Sequence, residues 1–222
     1  MKISLIGYGK TGKRVAILAK ERGWEVVNVF SQTNVLQPDL LKGTVSIDFS
    51  TPCAFKENYE KLFTHSSAVV IGTTGWGDVF DRVALVSKSK HCSGVYASNF
   101  SLGMNIFMGA LSQISKYLVK YGYQAYLLEK HHQAKKDKPS GTALALQKIL
   151  LQNNLAVDLE SIRCGEIKGE HEVGFESIYD QILLKHTCYS RDSFAMGALL
   201  AAEMVLKQTE GRLYSFDELL VL

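Results

Sequence analysis

Hydrophobic positions in the first half of the chain fall into short, separated runs. Residues 2–6, 25–30, 45–49, 68–71 and 94–97 are rich in Val and Ile, and most are closed by Gly, Ser, Thr or Pro. Runs of this length read as buried strands. Between them the spacing turns helical: through Val15, Leu18 and Ala19 up to Gly23, over residues 53–63, and over residues 80–89. Strands alternating with helices predict a parallel, doubly wound sheet.

The pattern changes from residue 103. Residues 103–119 carry Ile106, Leu111, Ile114 and Leu118 at amphipathic spacing, with Met104 and Met108 as core filling. A strand over 123–129 and a helix over 142–151 follow. Segments 160–167, 172–177 and 181–188 read as strands joined by tight turns, closer to an antiparallel meander than to β-α-β units. An apolar helix over 194–206 and a tail over 214–219 can return to the first sheet. The expected organisation is one domain from residues 1–102 and 192–222, and a second from residues 103–191, hinged near 102 and 192.

The first strand runs into Gly7-Tyr8-Gly9-Lys10-Thr11-Gly12, then a helix and a second strand. A lone G-x-G-x-x-G is weak evidence, but between two strands it is the dinucleotide-binding fingerprint in its required context. Gly72-Thr73-Thr74-Gly75 and Ser98-Asn99-Phe100-Ser101 follow later strands, at the carboxyl edge where such sheets bind ligands. The fold class is therefore α/β: a Rossmann-like doubly wound parallel sheet, then a C-terminal α+β domain with an open mixed or antiparallel sheet. The second strand ends in Phe30-Ser31-Gln32-Thr33-Asn34, without the acid that binds the ribose hydroxyls of NAD. No carboxylate there repels a 2′-phosphate, which favours NADPH and leaves NADH possible.

Composition narrows the classes. The 222 residues are 46% hydrophobic and 21% charged with a net charge of +3, an ordinary soluble composition and too weakly basic to argue for nucleic acid. No apolar run approaches the roughly 20 residues of a membrane helix. Cys53, Cys92, Cys164 and Cys188 show no C-x-x-C spacing. They read as reduced cysteines of a cytoplasmic protein, and no metal site is expected.

Candidate chemistry is concentrated in residues 129–143, Glu-Lys-His-His-Gln-Ala-Lys-Lys-Asp-Lys-Pro-Ser-Gly-Thr-Ala. Histidines titrate near neutrality. Lysines supply positive charge, and the N–H groups of Ser140, Gly141 and Thr142 at a helix start make an anion site. Together with a nicotinamide site, this suggests hydride transfer to a C=C or C=N bond of a small acid, with His131 or Lys135 handling the proton. Lys136 and Lys138 read as surface charge. A related dehydrogenase for another amino or imino acid, or a nucleotide-sensing regulator, are the competing readings.

The motif Glu129-x-His131-His132-x-x-Lys135-x-Asp137-x-Pro139-Ser140-Gly141-Thr142-Ala143 closely resembles the signature of the dihydrodipicolinate reductase family. Asp48-Phe49-Ser50, Gly72-Thr73-Thr74-Gly75, Ser98-Asn99-Phe100-Ser101-x-Gly103-x-Asn105 and Ser190-Arg191 before Phe194-Ala195 also match it. The resemblance implies reduction of a cyclic dicarboxylate, 4-hydroxy-tetrahydrodipicolinate, by NADH or NADPH, in a cytoplasmic homotetramer built through the C-terminal sheet. It implies His131 as proton donor and acceptor and Lys135 as proton donor, with His132, Gly141 and Thr142 on the substrate carboxylates. It also implies cofactor contacts from Gly7, Tyr8, Gly9, Lys10, Thr11 and Gly12, from Gly72, Thr73 and Thr74, and from Ala97, Ser98, Asn99 and Phe100. The chain departs from the family pattern in a short segment between Phe30 and Val45, a first loop one residue tighter, and alanine at position 134.

Overall fold

The structure, a computed structural model, describes residues 1–220. In chain order it begins with β1 (Lys2–Ile6), α1 (Lys10–Glu21), β2 (Glu25–Phe30), β3 (Val45–Asp48), α2 (Pro52–His65), β4 (Ala68–Ile71), α3 (Phe80–Ser89) and β5 (Gly94–Tyr96). It continues with α4 (Leu102–Leu118), β6 (Gln124–His131), α5 (Gly141–Gln152), β7 (Val157–Arg163), β8 (Glu170–Glu176) and β9 (Gln181–Thr187). It closes with α6 (Asp192–Val205), β10 (Leu213–Ser215) and α7 (Phe216–Leu220). Two compact units result: residues 1–101 with the segment from Asp192 onward, and residues 102–191.

The first unit is a six-stranded parallel sheet in the order β10-β5-β4-β3-β1-β2. Both faces are covered, so its strands read as nearly continuous apolar runs. Ile3, Leu5, Val15, Ala19, Ala198 and Leu199 form one core. Phe55, Leu62, Phe63, Val69, Ile71 and Val83 form the other. α6 buries almost its whole length because it is built from small residues. A Cβ at its Gly197 would overlap the Phe100 carbonyl, so the chain after β5 lies directly on this helix. Arg14 of α1 grips the Asp192 carboxylate at the start of α6 with two bonds, 2.5 and 2.7 Å. The returning tail does more than pack on the sheet: β10 joins it as a sixth strand beside β5.

The second unit is a mixed four-stranded sheet in the order β7-β6-β8-β9. The expected antiparallel meander is wrong at its first strand. β7 pairs parallel with β6, while β8 and β9 pair antiparallel. α5 supplies the crossover: a 12-residue helix between two strands carries the chain back to start β7 alongside β6. β7 also ends at Arg163, earlier than expected, and β6 continues through His131. One sheet face is apolar at one end, with Leu127, Val173 and Leu159 in neighbouring register positions under α4 and α5. Two residues along β6 the same face becomes polar: Glu129, His171 and Ser161 stand in register, and His131 pairs with Arg163 beyond them. No helix among the described residues is long and apolar enough to cross a membrane.

Candidate active site

In the first unit the glycines shape the turn between β1 and α1. Gly7 has φ of +90°, and a Cβ there would lie 2.4 Å from the Phe49 carbonyl oxygen. A Cβ on Gly12 would lie 2.2 Å from the Gly7 oxygen. These two glycines permit the turn and the close seating of α1. Gly9 differs: nothing lies within 4 Å of its Cβ position. It is the N-cap of α1 but offers no side-chain cap, which leaves the first-turn N–H groups of the helix for an anion. Lys13 lies 5.8 Å from the ring centre of Tyr8, adding positive charge at the same corner.

Two cavities open here. One, of about 620 Å³, runs from Gly7, Tyr8 and Gly9 to Ser31, Gln32 and Thr33 at the end of β2. The other, of about 390 Å³, is lined by Gly9, Lys10, Thr11, Gly72, Thr73 and Thr74. They share Gly9, Phe49 and Ser50, an extended two-part shape that suits a dinucleotide. The end of β2 is a tight turn in which Ser31 Oγ accepts from the Thr33 N–H at 3.3 Å, with no carboxylate present. Asp48, fully buried, anchors the loops: its Oδ1 accepts from Ser50 N–H (2.9 Å), Ser50 Oγ (2.8 Å) and Thr73 Oγ1 (2.5 Å). Burial pushes its carboxyl above the usual aspartate range. The Thr73 hydroxyl proton is therefore committed to Asp48.

The third expected loop behaves differently. Residues 97–100 line neither cavity. Ala97 N–H donates to the Ile71 carbonyl at 3.2 Å, and Asn99 Oδ1 caps the Ser101 N–H at 2.8 Å. Phe100 is buried against Phe216 and Phe49, so its side chain belongs to the core. Any cofactor contact at this position falls to its backbone.

The second unit holds the residues expected to handle the proton. Glu129 is completely buried at the point where the sheet face turns polar. Its Oε1 accepts from Ser161 Oγ (2.7 Å), an Arg163 guanidinium nitrogen (2.8 Å) and the Ser140 N–H (3.0 Å). These donors overcome the cost of burial and hold its carboxyl down at about 2. Its other oxygen lies 3.1 Å from His131 Nδ1 and 3.8 Å from His171 Nε2. Burial lowers His131, with Lys135 and Arg163 adding to the effect and Glu129 opposing it. His171, 4% exposed, is pushed down to about 4 by burial and by His131. Glu129, His131 and His171 bring one ligand atom each within 4.8 Å of one another. The carboxylate is already matched by Arg163, so a metal ion there would meet a neighbouring cation.

The loop after His131 holds Lys135, whose ammonium is bound by both oxygens of Asp137 at 2.8 Å. Arg163 reaches the same loop, donating to the Asp137 carbonyl at 2.6 Å. Ser140 caps α5 by accepting from the Ala143 N–H at 3.1 Å. One expectation changes: the Ser140 N–H is not open to an anion, because Glu129 already takes it. The exposed start of the helix is Gly141, where an added Cβ would meet nothing within 4 Å. His132 is half-buried between His131 and this loop, and Lys136 and Lys138 are exposed.

The structure thus gathers His131, Lys135 and the α5 start around a hub to which the sequence pattern assigns no role. Glu129, Ser161, Arg163 and His171 meet only through register across three strands. One signal is present in the sequence. Glu129 and His131 occupy the inward phase of a strand whose preceding inward residue is Leu127, and buried polar groups in that phase need partners.

A parallel sheet whose first strand feeds an uncapped helix through a glycine turn, in one chain with a unit holding buried titratable residues, fits a nucleotide-dependent oxidoreductase. Comparison with known proteins narrows this. The family model for the dihydrodipicolinate reductase N-terminus matches residues 1–100, and that for its C-terminus matches residues 103–220. The chain is 35% identical to the 4-hydroxy-tetrahydrodipicolinate reductase of Christiangramia forsetii, with 94% of each chain covered. It is 34% identical to that of Thermosipho africanus, covering 99% of this chain and 98% of the relative. The dipicolinate-bound dihydrodipicolinate reductase from Paenisporosarcina sp. TG-14 shares the fold, with a TM-score of 0.84 over 98% of both chains at 19% identity. The chain belongs to the dihydrodipicolinate reductase family and is a pyridine-nucleotide-dependent reductase. The C-terminal family segment spans both compact units, since its last portion supplies α6, β10 and α7 to the first.

Proposed function

We propose how this chain divides the labour of its family's reaction, the NAD(P)H-dependent reduction of 4-hydroxy-2,3,4,5-tetrahydrodipicolinate to tetrahydrodipicolinate in diaminopimelate and lysine biosynthesis. The nicotinamide cofactor supplies a hydride when bound. Gly7 to Gly12 hold its phosphates through backbone N–H groups, and Gly72 to Thr74 flank its far end, with the backbone of Ala97 to Phe100 next along the sheet edge. The turn at Ser31 to Thr33 carries no acid, which supports NADPH over NADH.

His132, Gly141 and Thr142 hold the substrate's carboxylates, the last two at the positive end of a 12-residue helix. Lys135 and His131 deliver and accept the proton that accompanies the hydride. Lys135 is held by the Asp137 carboxylate, and His131 by its contact with Glu129. One observation carries the reading: a buried, ionised carboxylate ties the proton-handling histidine, the lysine loop and the start of α5 into one cluster. The enzyme works in the cytoplasm, consistent with four free cysteines. It assembles as a homotetramer through the face of the second sheet that exposes Ile162 and Leu183.

The test is steady-state oxidation of NADPH and NADH in parallel, with substrate made freshly by condensing pyruvate with aspartate semialdehyde. His131→Gln and Lys135→Ala are each expected to lower kcat by about 10²- to 10⁴-fold, the range of general acid–base catalysis, while cofactor binding is kept. Near-parental turnover in both variants would show the proton assignment to be wrong.

A further inference from the structure

We propose that Glu129 is the positioning residue for His131, fixing which ring nitrogen keeps its proton, and that Gly169 keeps the opposite nitrogen open to substrate. The proposal rests on the reading of His131 as an acid–base residue. Three donors on Oε1 prevent the Glu129 carboxylate from turning. Its Oε2 is buried, makes no aligned hydrogen bond, and stands 3.1 Å from His131 Nδ1. An ionised carboxylate can only accept. Nδ1 is likewise buried without another partner, so it is the ring nitrogen that gains from carrying hydrogen beside this oxygen, and Nε2 is left to gain and lose the working proton.

Nε2 points toward Gly169, just before β8. A Cβ at this position would lie 3.1 Å from Nε2 and 3.4 Å from Cδ2, and the residue has φ of +152°. The Gly169 carbonyl accepts from the Cys188 N–H at 2.8 Å, which pins this backbone in place. Even one added carbon would stand where a substrate atom must approach. The charged and titratable groups facing His131 are Glu129 on its own strand, Lys135 and Asp137 on the following loop, Arg163 on β7 and His171 on β8. Glu129 and Asp137 favour the imidazolium, and Lys135 and Arg163 oppose it. The His171 ring, 5.3 Å away and edge-on, stays neutral at working pH.

The experiment uses full-length protein labelled with 15N at histidine. Nitrogen chemical shifts of His131 are expected to show the Nδ1–H tautomer; an Nε2–H tautomer in the parent protein overturns the proposal at once. In Glu129→Gln the tautomer is expected to shift toward Nε2–H. kcat should fall at least about tenfold with KM nearly unchanged. The limb of kcat/KM that needs protonated His131 should move to lower pH, because an anion favouring the imidazolium is gone. A folded Glu129→Gln protein with the parental tautomer and pH limb overturns the idea. Gly169→Ala leaves the carboxylate network in place, so it tests the second half even if Glu129→Gln does not fold. It should lose kcat by about tenfold or more with the tautomer and cofactor affinity unchanged, and parental kcat there overturns it. His131→Gln separates the layers: full turnover sinks the acid–base reading itself, whereas an inactive His131→Gln beside an unaltered Glu129→Gln sinks only this inference.

Discussion

The nucleotide-side loop of the first unit is made of backbone, whereas the pocket around Glu129 is made of side chains from three strands. The loop is shaped by what is missing: no Cβ at Gly7, Gly9 or Gly12, and no side-chain cap on α1. In the pocket, the arrangement centres on a buried charge whose Oε1 is held by Ser140, Ser161 and Arg163. A backbone site is local, so it survives distant change and fails by steric intrusion. A side-chain site is nonlocal, so it fails when any one partner is lost.

Arg163→Met tests the nonlocal plan most severely. It removes the guanidinium paired with a fully buried carboxylate, and the link to the Lys135 loop. Breaking such a pair costs about 3–5 kcal/mol. Chemical denaturation should show this loss. Cofactor affinity, a property of the first unit, should persist in protein that remains folded, and parental stability would show that Ser140 and Ser161 suffice to hold Glu129.

Gly7→Ala and Gly9→Ala probe the local plan as a pair. At Gly7 an added carbon meets the Phe49 carbonyl at 2.4 Å with φ of +90°, so strain and overlap together should cost about 2–4 kcal/mol. At Gly9 the same carbon meets nothing within 4 Å. That variant should keep its stability within about 0.5 kcal/mol and still bind the nucleotide more weakly, as isothermal titration would show. Equal stability losses at both positions would contradict the division between a glycine needed by the turn and one needed by the ligand.

The same contrast governs how much of the molecule is legible in its sequence. The glycine turn, its flanking strands and the helix after it are contiguous, so the residue pattern alone places Gly7 to Gly12. The opening of α5 at Ser140 is legible for the same reason. Glu129 is visible only as the first letter of a motif, because Ser161, Arg163 and His171 reach it through the β7-β6-β8 pairing. That pairing is hidden: tight turns suggest neighbours in sequence order, while α5 places β6 between β7 and β8. Phe100 misleads in the opposite direction. It stands within a motif of the cofactor edge, yet its ring fills the core beside Phe216, which only packing decides.

Acid acts on the side-chain pocket of the second unit in two steps. The folded His171 imidazole titrates at about 4 instead of near 6.5, so it stays neutral where the unfolded chain takes up a proton. Its folded value is depressed, so its contribution is present above about 6.5 and lost as pH falls toward 4. Glu129, held at about 2, loses its contribution lower, between about 4.5 and 2. Each shift corresponds to roughly 3 kcal/mol. Melting temperature should therefore fall in two stages on acidification, and His171→Gln should flatten the upper stage alone. An unchanged profile in that variant would assign the upper stage to other groups.

The smallest effect belongs to the β2 turn, where the local plan meets a choice between two nucleotides. Ser31 Oγ accepts from the Thr33 N–H, and an aspartate can make the same turn through its carboxylate. Ser31→Asp should therefore leave the fold intact while placing one negative charge beside the ribose end of the 620 Å³ cavity. Repulsion between that charge and a 2′-phosphate in a solvated site is worth about 1–2 kcal/mol, roughly a tenfold rise in the Kd for NADPH. NADH, which offers hydroxyls to the same carboxylate, should bind as well or better. The ratio of the two Kd values thus reports on a single side chain, while kcat with saturating NADH should stay at the parental value because His131 and Lys135 lie in the other unit. A ratio unmoved by Ser31→Asp would mean that the nucleotide's ribose is read elsewhere, with Gln32 and Thr33 the next residues to change.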